Sequence, residues 1–111
     1  KESPVHDNFK NKIIDSDEVG TWILNKKSKP CIRALKSEMT SKIHEDGIMD
    51  MTALANIKEL YFGGDMEAAP ALSGQSVGLI DAVKSVDTII KETINEFNET
   101  CLKLSKEKFN E

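Results

Sequence analysis

Apolar positions recur along the chain in two rhythms. Val5, Phe9 and Ile13 stand four apart, which places them on one face of a helix. Ser3 and Pro4 precede them as the expected N-cap and first helical residue. The acidic run Asp15-Ser-Asp-Glu18 opposes the negative end of a helix dipole and reads as the loop that follows. Val19 to Leu24 changes rhythm. Its β-branched and aromatic residues suit a pleated, half-buried surface and predict the chain's one strand.

Asn25 to Pro30 forms a basic turn, after which Ile32, Leu35, Met39 and Ile43 restore a helical spacing. Gly47 is placed to end that helix in a left-handed conformation. Asp50 is the expected cap of a further segment carrying Met51, Leu54, Ile57 and Tyr61 on one side. A flexible connection from Gly63 to Pro70 and a loop entering a short helix, Ser73 to Ile80, come next. Ser85 then caps the longest stripe of all: Val86, Ile89, Ile90, Ile94, Phe97, Cys101 and Leu104. The tally is mostly α with one short strand. A lone strand leaves its own N–H and C=O groups unpaired. The partner of Val19–Leu24 is therefore expected outside this chain, or in a second copy of it.

Composition narrows the function classes. In 111 residues, 15 Lys and Arg face 19 Asp and Glu, for a net charge of −4. That length suits one domain. The acidic balance argues against a nucleic-acid binder. No apolar run reaches the length of a membrane span, and the first ten residues hold no apolar secretory segment, so neither is expected. Cys31 and Cys101 lie far apart without a CxxC pair, so two free thiols in a reducing, cytoplasmic setting are expected.

Candidate chemistry is sparse. His6 beside Asp7 reads as a boundary histidine rather than a general base, and His44 as a complement to a helix end. Neither histidine shares a metal-ligand spacing with the cysteines. Lys26, Lys27, Lys29, Arg33 and Lys36 form a basic run that reads first as a solvated face, with phosphate recognition as the sharper alternative. Asp65, Glu67 and Asp81 show no evident partners, and Trp22 and Tyr61 read as anchors. Gly74 and Gly78, four apart, permit close approach of a neighbour. Ser73, Gly74 and Gln75 at a helix start could face a polar ligand, the Gln75 amide both donating and accepting.

Three ordered blocks carry a resemblance. They are Glu2-Ser-Pro-Val-His-Asp-Asn-Phe-Lys10, continuing through Ile13-Ile14 to Gly20-Thr21; Ile32-Arg-Ala-Leu-Lys36; and Gly64-Asp65 followed by Gly74-Gln-Ser-Val-Gly-Leu-Ile80. Together they resemble the C-terminal third of the FMN-dependent nitronate monooxygenases (2-nitropropane dioxygenase-like proteins) and flavin-type enoyl-[acyl-carrier-protein] reductases. The resemblance implies a fragment of a (β/α)8 TIM-barrel flavoenzyme with its helical lid. Residues 1–28 would be a late barrel helix and the last strand, 29–72 the helical lid region, and 73–111 a motif-bearing segment and closing helix.

What the resemblance implies about function follows from which part is present. The parent would be an FMN oxidoreductase, with NAD(P)H as a further cofactor of the reductase type. The phosphate loops and catalytic histidine of that family precede the first block, so no catalytic residue carries over and the chain alone is expected to be inactive and to bind no cofactor. Ser73, Gly74 and Gln75 would line the cofactor pocket. The expected partner is the N-terminal barrel portion or a second copy of the chain. The competing expectation is a self-associating structural module with no catalysis of its own.

Overall fold

In the computed structural model, which describes residues 1–107, the chain divides into two compact units. The larger runs from Pro4 to Ala82; the smaller joins Lys1–Ser3 to the stretch from Val83 onward. The larger unit opens with α1, Asp7–Ile14. Its cap is His6, not Ser3: the Asn8 N–H donates to His6 Nδ1 at 3.0 Å. The acidic stretch that follows is a loop, with Asp15 as the C-cap of α1.

The strand expected at Val19–Leu24 is β1, Thr21–Leu24, and its partner is in the chain. Ile32–Leu35, expected as the first turn of a helix, is a second strand, β2, antiparallel to β1 with Thr21 opposite Leu35 and Leu24 opposite Ile32. The expectation of a single strand is corrected by this hairpin, whose second strand lies within the 29–72 region. Two local features decide it. Asn25, in the left-handed region at φ 64° and almost fully buried, turns the chain back. Its Nδ2 donates to the Pro30 carbonyl (2.9 Å) and its Oδ1 accepts from the Met49 N–H (3.0 Å). Ser37 then sets the true helix start. Its hydroxyl accepts from the Thr40 N–H while the Thr40 hydroxyl accepts from the Ser37 N–H, a reciprocal capping pair. The helix it opens is α2, Glu38–Asp46, closed by Gly47 at φ 75° as its sequence position implied.

Beyond α2, Asp50 caps a 3-10 turn over Met51–Leu54, and α3 covers Ile57–Tyr61. Residues 71–73 return along the free edge of β2: Leu35 N–H donates to the Ala71 carbonyl and Ser73 N–H to the Arg33 carbonyl. The strand period of two sends alternate β2 residues to opposite faces, and both are covered. Leu35 joins Leu60, Ala69, Ala71 and Val77 in one apolar cluster, against which Phe9, Ile13 and Tyr61 pack. Ala34 joins Leu24 and Met49 in another, flanked by Trp22 and Ile43. The connection from Gly63 to Pro70 is thus no free tether, since Ala69 and Pro70 are fully buried.

In the smaller unit, α4 spans Val86–Lys106. Ser85 caps it as expected, accepting from the Thr88 N–H, and Glu2 accepts from the Val86 N–H at 3.0 Å. That bond to Val86 holds the Glu2 carboxyl below the usual glutamate range. None of the side chains of α4 is buried. Among the described residues no helix is long and apolar enough to cross a membrane.

Candidate functional site

The segment from Ser73 to Ile80 enters from the edge of β2 and folds into a 3-10 turn over Gln75–Leu79. Val77 points inward and is almost completely buried, which anchors the turn to the core. Gly78 allows that anchoring. A methyl group on its Cα would lie 2.5 Å from the Glu18 amide nitrogen and 2.6 Å from Glu18 Cα, in the backbone of the loop after α1. Gly78 therefore supplies the close approach expected of this pair of glycines, against the chain's own loop.

Gly74 differs. It sits at φ −87° and ψ 171°, an extended conformation open to any residue. A methyl group there would meet only the Ser76 hydroxyl, at an ordinary 3.7 Å. Neither backbone geometry nor packing within the described residues requires glycine at this position. Ser73 turns its hydroxyl onto the Gly74 carbonyl at 3.3 Å, and Gln75 is exposed. Leu79, on the same turn, is 87% exposed, the most solvent-accessible of the large apolar side chains among the described residues. The structure thus brings Ser73, Gly74 and Gln75 together on one exposed turn with a rigid foot and a bare tip.

Further recesses lie elsewhere on the surface. One, of about 190 Å³, is lined by Lys12, Asp15, Ser16, Asp17, Gly20 and Lys36. Another, about 610 Å³, runs between α2 and the stretch after it, with Met39, Ile43, Ile48 and Met49 below Glu38, Asp46 and Glu67. Neither is lined by Ser73, Gly74 or Gln75.

The other candidates have structural occupations. Gly64, at φ 80°, receives the His6 ring, and the Asn8 amide donates to the Gly64 carbonyl at 2.9 Å. His6 is thereby a cap and a packing surface joining the first and third sequence blocks. His44 stacks on Trp22 with ring centroids 4.0 Å apart. Its Nδ1 lies 3.0 Å from the Ile23 carbonyl, which can only accept, so Nδ1 carries the proton and Nε2 faces the Lys26 ammonium. Lys36 covers the Trp22 ring at 4.2 Å, Lys27 donates to the Asp46 carbonyl, and Arg33 donates to the Thr21 hydroxyl. Most of the basic run is thereby tied into the hairpin and α2.

Asp65 and Glu67 are not the solitary carboxylates the sequence suggested. Asp65 accepts from the Glu67 N–H, and Glu67 accepts from the Glu38 and Met39 N–H groups at the start of α2. Sequence reasoning missed this second cap because Glu67 lies 29 positions from Glu38. Cys31 and Cys101 are free and exposed, and no cluster of potential metal ligands exists among the described residues.

No protein-family model matches the chain, and no curated protein does. Solved structures do. FabK from Thermotoga maritima superposes with a TM-score of 0.81 at 30% identity, over 91% of this chain and 34% of that one. A point mutant of the same FabK gives a TM-score of 0.79 at 32% identity, over 94% of this chain and 32% of that one. The chain spans about a third of the length of these structures, and over nearly its whole extent it is similar to that third of FabK.

Proposed function

We propose that this chain forms the C-terminal third of an FMN-dependent oxidoreductase, of the enoyl-[acyl-carrier-protein] reductase type to which FabK belongs. The observation that carries this is the match to FabK, which extends through both units at an identity above what fold alone produces. The three sequence blocks point the same way, since two of them meet in space where His6 packs on Gly64.

No chemical step is assigned to this chain. Its role is to close the substrate mouth of the parent enzyme and to exclude water while the flavin, held elsewhere, carries the electrons. Within that role, the Ser73–Gly74–Gln75 turn borders the flavin pocket. Gly74 has no internal reason to be glycine, and glycine is what a close approach by a ligand requires.

The test is a chimera in which the matching third of Thermotoga FabK is replaced by this chain. The expected product binds FMN and oxidises a nicotinamide cofactor when given an enoyl thioester. Gln75→Ala in the chimera weakens FMN or substrate binding at least several-fold, and Gly74→Leu abolishes it. A folded chimera without flavin overturns the assignment to this enzyme class. A flavin-loaded chimera indifferent to both substitutions removes the turn from the pocket.

A further inference from the structure

The turn between β1 and β2 carries Lys26, Lys27 and Lys29, and their surroundings differ. Lys27 donates to the Asp46 carbonyl at 3.0 Å, a group that accepts a hydrogen bond but cannot take the proton. Lys29 is exposed further along the turn. Lys26 faces a base: its Nζ lies 3.4 Å from Nε2 of His44. Among the described residues no carboxylate forms an ion pair with any of these three lysines.

His44 is held for that contact from two directions. Its Nδ1–H donates to the Ile23 carbonyl at 3.0 Å, which leaves the lone pair on Nε2, toward Lys26. Its ring stacks on Trp22 at an interplanar angle of 22°, and the Trp22 indole N–H donates to the Ser41 hydroxyl at 3.2 Å. An amine, a base within reach of it and a third group that fixes the base form the arrangement that activates a nucleophile. The electrophile that gains most from such a base is a thioester. An amine adds to its carbonyl reversibly, and the adduct goes on to the amide only once the nitrogen sheds its proton.

We propose that Lys26 is a site of acylation by small acyl thioesters, with His44 as the general base. The Lys26 ammonium first gives one proton to water. Nζ then attacks the thioester carbonyl carbon and the carbon–nitrogen bond forms. Nε2 of His44 takes the second proton from Nζ as the carbon–sulfur bond breaks. The sulfur leaves with the bonding electron pair, and the thiolate takes the proton from His44 to become a thiol. Nothing is oxidised or reduced. The product amide is uncharged, so the turn loses one positive charge and His44 loses its ammonium neighbour.

The test incubates the 111-residue chain with acetyl-coenzyme A and follows acetylation at Lys26, Lys27 and Lys29 by peptide mass. The expected rate at Lys26 exceeds that at Lys29 at least about tenfold, and Lys27 is slower than Lys29. His44→Asn supplies an amide N–H for the Ile23 carbonyl but no base at the Nε2 position. In that variant Lys26 falls to within about twofold of Lys29, and the rate at Lys29 is unchanged. In the unaltered chain, carbethoxylation of His44 with diethyl pyrocarbonate slows Lys26 in the same way, and hydroxylamine restores it.

A Lys26 no faster than Lys29 in the unaltered chain overturns the proposal before any variant is made. So does an advantage of Lys26 that survives in folded His44→Asn or in the carbethoxylated chain, because exposure on the turn then accounts for it.

Discussion

Single residues here separate into those that the chain itself explains and those that it does not. Gly64 and Gly78 are explained. Alanine at Gly64 must hold a left-handed φ and displace the His6 ring, which lies 2.6 Å from the added methyl. The expected loss is at least about 1–2 kcal/mol from the backbone alone. Alanine at Gly78 presses on the Glu18 backbone, and about 1–3 kcal/mol is expected for overpacking of that kind. Gly74→Ala has no such cost, and the urea midpoint of the chain should not move measurably. A large fall at Gly74 would show that its glycine serves the fold and not a ligand. Asp50 gives the pH counterpart. Its bond from the Thr52 N–H holds its carboxyl below the usual aspartate range. A carboxyl lowered in the folded state stabilises at neutral pH, and that contribution is lost as the pH falls through the folded value. Asp50→Ala should therefore lower the urea midpoint at pH 7, and the gap to the parent chain should close toward pH 3.

Elements were legible where the signal was local. Gly47, Asp50 and Ser85 announce helix ends by residue type alone, and each closes or caps its helix in the structure. The failure was equally local in origin. Ile32, Leu35, Met39 and Ile43 satisfy a helical spacing, so β2 and α2 merge into one helix when only apolar positions are followed. Ser37 with Thr40 carried the missing boundary, but a Ser-x-x-Thr cap lacks the Glu or Gln that makes such a box conspicuous. Thr40 also makes a second connection. Fully buried, it donates to the Leu35 carbonyl at 2.9 Å and so fastens β2 to α2. The start of α2 is further held by Glu67, which no local reading finds. Ser37→Ala should cost about 1 kcal/mol. Glu67→Ala should cost less, about 0.3–1 kcal/mol at an exposed helix start, and the loss should shrink in high salt. Chemical denaturation of both variants at low and high ionic strength separates the two contributions.

At the scale of the molecule, the two units differ in what keeps them folded. In the larger, Leu35, Leu60 and Val77 are removed from water almost completely, and a core of this kind sets the slowest opening of a domain. In the smaller, α4 buries no side chain and relies on its cap, the Lys91–Asp87 pair one turn apart and the Lys84–Glu92 pair. Such pairs contribute a few tenths of a kcal/mol each, and even 21 residues of helix without packing remain marginal in water. The seven-position stripe of α4 was the plainest periodic feature of the sequence, yet periodicity tells only that a face is apolar and not what covers it. Hydrogen exchange of the chain alone should therefore be strongly uneven. Amides of β2 and α3 should exchange at least 100-fold more slowly than those in the middle of α4. Equal protection in both would mean that α4 is held by more than its cap and its surface ion pairs.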